Sequence, residues 1–101
     1  MLVIAGHIRI DPSKREAAIA AAVDVMEATR REKGCLAYTF STDLHDEGLI
    51  HIFEEWDSQD ALDAHFKSPH MATFQKAIPD LGVKEMKIRR YEVSSAGPLG
   101  G

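Results

Sequence analysis

The chain is poor in several residue types and patterns, and each shortage narrows what it can be. It has a single cysteine, Cys35. No internal disulfide can form, and nothing points to an oxidising compartment. Its apolar runs are far too short to span a bilayer. The opening MLVIAGHIRI lacks the basic start and long apolar stretch of a secretory leader. The expected location is the cytoplasm, with no membrane partner. Positive charge is also scarce, with 12 Lys+Arg against 16 Asp+Glu, a net charge of −4 and no basic block. Nucleic acid is therefore not an expected partner. There is no glycine-rich phosphate loop, no G-x-S-x-G turn and no C-x-x-C pair. No dinucleotide or flavin site is readable, so no cofactor is expected. Any redox chemistry would have to draw its electrons from the substrate.

What remains is an ordinary globular composition of 101 residues, 45% hydrophobic and 28% charged, enough for one core. Residues 2–10 alternate as a strand, with Leu2, Ile4, Ile8 and Ile10 on one face. Ser13 and Glu16 fit a capping box for a helix running to about Lys33, with Ile19, Ala22, Val23 and Met26 as its apolar stripe. Gly34 is placed to end it. Cys35 to about Asp43 reads as a second strand in which Leu36, Tyr38 and Phe40 alternate. Leu49 to Trp56 reads as a third. Ser58 can cap a short helix to about Lys67. Ser68-Pro69 then restarts a second piece carrying Met71, Phe74, Ile78 and Leu81, which Pro79 ends or bends. Val83 to Val93 is the last strand.

The order β-α-β-β-α-β predicts an α+β, ferredoxin-like antiparallel sheet with helices on one face. Residues 1–93 form one domain and 94–101, SSAGPLGG, a Gly-rich tail. The sheet's second face would carry Val3, Ala5 and His7 of strand one, together with one of the two sets on strand three. Those sets are Leu49, His51 and Phe53, or Ile50, Ile52 and Trp56; neither is a solvent face by composition. The simplest cover is a second copy of the same sheet, which predicts a two-fold homodimer.

The chemistry-bearing residues concentrate in FEEWDSQDALDAHFKSPHM, Phe53 to Met71. Leu62, His65 and Phe66 share one helix stripe, so His65 is expected to be buried. His70 follows five residues later, across Pro69. The two histidines are thus not the i, i+4 pair of a helical zinc site, and no metal is expected. His70 falls in a first helical turn, where unpaired N–H groups disfavour an imidazolium and leave a neutral proton acceptor. The alternative reading makes His70 a local cap and His65 a satisfied core residue. Trp56 suits a strand–helix corner. Glu54 shares a strand face with Ile52 and Trp56, and a carboxylate there needs a partner or a pocket. The Tyr38 phenol could bind a polar ligand atom or belong to the core.

REKGCLAYTFSTD, FEEWDSQDALDAHFKSPHM and VKEMKIRRYEV together resemble the antibiotic biosynthesis monooxygenase family, most nearly its small bacterial quinol monooxygenases. The resemblance covers nearly the whole chain, and the E-x-W…H…S/T-P-H block is its most specific part. It implies a dimeric α/β barrel with a pocket between sheet and helices in each subunit. It also implies oxidation of quinols or polycyclic phenols by dioxygen without metal or flavin. The substrate would be deprotonated, its anion would reduce dioxygen, and a hydroperoxide would collapse to quinone and water. The matching positions are Glu54, Trp56, His65 and His70. His65 or His70 would be the base, and Trp56 and Phe74 pocket walls. His7, Tyr38 and His51 are further candidates. In relatives that degrade haem the axial histidine falls at Gln75 here, a poor ligand. An isomerase of a phosphorylated substrate would need a phosphate cluster, for which only Lys67, Arg89 and Arg90 are available. A non-redox isomerase or a binding module on the same scaffold is the alternative function.

Overall fold

The computed structural model describes residues 1–100; the last residue of the expected tail, Gly101, lies outside them. Seven main elements follow in order: β1 (Leu2–Ile10), α1 (Arg15–Thr29), β2 (Cys35–Thr42), β3 (Leu49–Trp56), α2 (Gln59–Phe66), α3 (Pro69–Ala77) and β4 (Val83–Glu92). The strands form one sheet in the order β2-β3-β1-β4, every neighbouring pair antiparallel. This is the expected α+β ferredoxin-like arrangement. The molecule is only 19 Å thick along its shortest axis, room for one sheet and one helix layer. The core lies between them, built on Leu2, Ile4, Ile8 and Ile10 of β1, Ile50 and Trp56 of β3, Leu62 of α2 and Phe74 of α3. No described helix is long and apolar enough to cross a membrane.

The helical layer is entered and left by local chemistry. Ser58 accepts from the Ala61 amide at 3.1 Å and starts α2. Ser68 accepts from the Met71 amide at 3.3 Å and starts α3, with Pro69 in its first turn. A 3-10 turn over Ile78–Asp80, containing Pro79, closes α3.

Four local expectations are corrected. Ser13 does not cap α1; Asp11 instead accepts from the Ser13 amide at 2.9 Å and caps a 3-10 turn over Pro12–Lys14. The buried stripe of α1 is Ala18, Ala22, Val25 and Thr29. These smaller residues let the helix lie close on the sheet, while Ile19, Val23 and Met26 flank a groove beside β2. The helix also stops at Thr29 rather than Lys33, and residues 30–34 turn back under it. Arg30 Nε pins that turn to β2 by donating to the Tyr38 carbonyl at 2.9 Å. Finally, an irregularity between Cys35 and Ala37 throws Leu36 outward, leaving it 56% exposed.

Two glycines carry constraints. Gly34 has φ of 85°, the left-handed conformation that ends the turn, and an added Cβ would stand 2.6 Å from the Ala61 Cβ. Gly6 is a mid-strand residue where β4 approaches closely: an added Cβ would fall 2.0 Å from the Lys87 carbonyl oxygen. Gly6→Ala must push β1 and β4 apart along the most heavily paired strands. We expect a loss of about 1–3 kcal/mol, measurable as a melting temperature lowered by roughly 4 °C or more.

Candidate active site

A cavity of about 210 Å³ opens between the inner sheet face and the α2–α3 pair. Tyr38 and Phe40 of β2, Ile52 and Glu54 of β3, His65 and Phe66 of α2, and Met71, Phe74 and Gln75 of α3 line it. Met86 and Ile88 of β4 close one side and are themselves partly open to solvent. Three larger depressions, beside α1, on the outer sheet face and between α1 and α3, lack a buried acid or base. The smallest of the four is where apolar walls and titratable groups converge, and that combination makes it the candidate site.

Glu54 enters the cavity because β3 alternates: Ile50, Ile52, Glu54 and Trp56 all face the helices. It lies opposite Ile4 on one side and Tyr38 on the other. Trp56, completely buried, donates from Nε1 to Glu54 Oε1 at 2.8 Å. Burial raises the Glu54 carboxyl to about 7, despite the Trp56 hydrogen bond that favours the anion. The same burial drives the Tyr38 phenol well above its usual range, so it stays protonated.

His65 is 1% exposed and surrounded by aromatic rings, with centroids of Trp56 at 4.9 Å, Tyr38 at 5.3 Å and Phe66 at 5.7 Å. Its burial follows the helical stripe with Leu62. Phe66, expected on the same stripe, is 52% exposed and edges the cavity mouth instead. The partner of His65 comes from the turn after α1. Glu32 Oε2 lies 2.7 Å from His65 Nδ1 and 2.8 Å from His70 Nε2. An ionised carboxylate only accepts, so both ring nitrogens carry the proton toward it. His70 does not line the cavity; it faces a groove between α1 and α3 beside Asp24 and Thr73.

Glu32 is the residue the sequence reading misses. On a helix continued to Lys33 it has no reason to turn inward. Only the early stop at Thr29 brings it beneath α2 and α3. Its one sequence signal is its position two residues before Gly34. The other candidates divide cleanly. Phe74 and Tyr38 line the cavity, and Trp56 lies behind it, holding Glu54. His7 and His51 are cross-strand neighbours on the outer sheet face, away from the cavity. His51 Nε2 is 2.9 Å from Asp43 Oδ1, and that hydrogen bond is the chief reason the Asp43 carboxyl is held down at about 2.

Glu32, His65 and His70 bring three ligand-type atoms within 4.8 Å of one another. The helical spacing of the histidines gives no hint of this, because the third atom comes from a distant turn. The separations of 2.7 and 2.8 Å are hydrogen-bond lengths. Ligands around a tetrahedral ion, with bonds of about 2.05 Å, stand about 3.3 Å apart. As they stand, the three side chains share protons through one carboxylate oxygen.

Comparison with known proteins agrees with this fold. The crystal structure of an antibiotic biosynthesis monooxygenase candidate from Deinococcus radiodurans superposes with a TM-score of 0.91 at 31% identity, covering 100% of both chains. An uncharacterized protein of Synechocystis sp. is 35% identical over 97% of this chain and 67% of its own length. The Escherichia coli K12 protein named probable quinol monooxygenase YgiN is 28% identical over 88% of this chain and 94% of its own. The family profile described as antibiotic biosynthesis monooxygenase matches residues 1–77. On the shared fold and that match, this chain belongs to the antibiotic biosynthesis monooxygenase family.

Proposed function

We propose that the protein is a cofactor-independent monooxygenase that oxidises a small, neutral quinol or related phenol with dioxygen in the cavity between sheet and helices. The observation that carries this reading is the pairing, in one apolar hollow, of a buried imidazole with a carboxyl poised near 7. Two titratable groups with different environments divide the roles of base and acid. His65 takes the phenolic proton. The electron-rich anion passes an electron to dioxygen, and the radical pair joins as a carbon-bound peroxide. Glu54, in its protonated form, delivers a proton to the peroxide. Water leaves, the ring carbon loses its hydrogen as a proton, and a carbonyl remains. One oxygen atom enters the product and the other becomes water. All the electrons come from the substrate, so the sequence requires no bound redox group. The aromatic walls exclude the water that would otherwise quench the anion.

A hollow of about 210 Å³ favours one or two fused rings over larger polycycles. No lysine or arginine lines it, which disfavours substrates bearing carboxylate or phosphate. Lys67, Arg89 and Arg90 do not line it, which speaks against isomerisation of a phosphorylated compound. A non-redox isomerase using the same acid–base pair would turn over under strict anaerobiosis, and the monooxygenase would not. The cytoplasm is the compartment in which the sequence leads us to place the reaction.

The reading extends to a two-fold homodimer formed through the outer sheet face. Phe53 and Tyr91 stand there 41% and 42% exposed, alongside Val3 and Ala5. That apolar surface supports a second sheet as its cover.

Four outcomes test the proposal. Chelator-treated protein given a naphthohydroquinone should consume oxygen, and His65→Gln should lower kcat by roughly 10²–10⁴; undiminished turnover in that variant counts against His65 as base. The acid form of Glu54 is the active one, so activity should decline as pH rises through about 7, and Glu54→Gln should abolish that alkaline limb along with most of the rate. The same shift has a stability consequence. The folded carboxyl is raised from 4.5 to about 7, so its contribution is complete below about 4.5 and is lost as pH rises through 7. Denaturant titrations should show the wild type weaker at pH 8 than at pH 5 by on the order of 2 kcal/mol from this group, and Glu54→Gln should flatten the difference. Sedimentation should give a dimer, converted to a folded monomer by Phe53→Glu; a wild-type monomer would remove the dimer proposal.

A further inference from the structure

The cavity explains His65 and Glu54 but leaves Glu32 and His70 unused, although one Glu32 oxygen joins both imidazoles. Glu32 does not line the cavity, whereas His65 does. The ring edge that His65 turns toward Glu32 is its Nδ1 edge, at 2.7 Å. The edge left for the cavity therefore bears Nε2. We propose that Glu32 is a positioning residue that holds His65 as the Nδ1–H tautomer with Nε2 presented to the substrate, and that His70 competes for the same Glu32 oxygen and so limits how strongly the carboxylate acts on His65. The inference rests on the monooxygenase reading for its catalytic consequence and on geometry alone for the tautomer.

The physical reasons are specific. A neutral imidazole can be a base only through the nitrogen that lacks a proton. A carboxylate at Nδ1 both selects the tautomer and stabilises the imidazolium formed when Nε2 takes a proton. His65 cannot swing away, because Trp56, Tyr38 and Phe66 enclose it. His70 donates to the very oxygen that His65 uses, Oε2, at 2.8 Å. Each N–H that the oxygen accepts reduces the negative charge available to the other. His70 is half-buried at the α1–α3 groove, so the state of the buried pair is connected to solvent through it. The titratable groups around this network are Glu54, Tyr38 and Cys35 on the sheet side and Asp24 on the α1 side.

The test uses the full chain, labelled for imidazole nitrogen and proton NMR, with Glu32→Gln, Glu32→Asp and His70→Phe. In the wild type His65 should show the Nδ1–H tautomer. In Glu32→Gln that pattern should be lost or mixed, and kcat with a naphthohydroquinone should fall at least ~10-fold while KM stays within about two-fold. Glu32→Asp should restore part of both. In His70→Phe, which removes the competing N–H, the His65 Nδ1 proton should move downfield as its hydrogen bond to Glu32 strengthens. If Glu32→Gln fails to fold, His70→Phe decides the matter by the same spectra. An unchanged His65 tautomer in Glu32→Gln, or a His65 Nδ1 proton unmoved or moved upfield in His70→Phe, overturns the proposal. If wild-type protein consumes no oxygen yet the tautomer follows Glu32, the positioning role stands and the functional reading falls. If oxygen is consumed and the tautomer ignores Glu32, the reverse holds.

Discussion

One carboxylate oxygen, Glu32 Oε2, takes hydrogen bonds from two imidazoles that belong to different helices. It draws together the turn after α1, the C-terminal end of α2 and the first turn of α3. Without it His65 would be a buried donor with no acceptor, which costs about 1–3 kcal/mol in a protein interior. The helical layer over the cavity is therefore held in place by a polar contact as well as by apolar packing. The broken second helix also follows this logic. Ser68 and Pro69 restart the chain in a new direction, and only that change of direction lets His70 reach the same oxygen as His65.

The sheet supplies the complementary constraint. Alternation along β3 puts Glu54 and Trp56 on the helix-facing side, where neither finds water. Trp56 donates its N–H to Glu54 and partly offsets the burial of the carboxylate. The balance leaves that carboxyl near 7, between the charged and neutral states at ordinary pH. A group in that condition can give or accept a proton with little free-energy cost. The hollow thus combines two features that seldom occur together: walls apolar enough to exclude water and two groups able to exchange protons.

Much of this was legible in the amino-acid order. Period-2 alternation marked the first three strands, and Ser58, Ser68, Pro69 and Pro79 punctuated the later helices where the chain does turn. The burial of His65 followed from its i, i+3 relation to Leu62. The failures have equally local causes. Val25 and Val23 are chemically alike, so the α1 stripe could be rotated without violating its pattern; the close approach to the sheet selects the smaller face. Leu36 fits an alternating strand, and only a β-bulge, set by how β2 meets β3, expels it. Phe66 fits the buried stripe, yet the cavity leaves no packed wall for it to meet. Glu32 was invisible because its role comes from contacts at sequence separations of 33 and 38, which no local pattern encodes.

The central claim is that a substrate held in this hollow supplies the electrons for dioxygen and receives one of its oxygen atoms. Incubation with a naphthohydroquinone under ¹⁸O₂, followed by mass spectrometry of the product, tests it most directly. The account predicts one labelled oxygen in the product, with the other label recovered in water, and loss of this labelling in His65→Gln. A product that carries no label, or that forms equally well without oxygen, would contradict it.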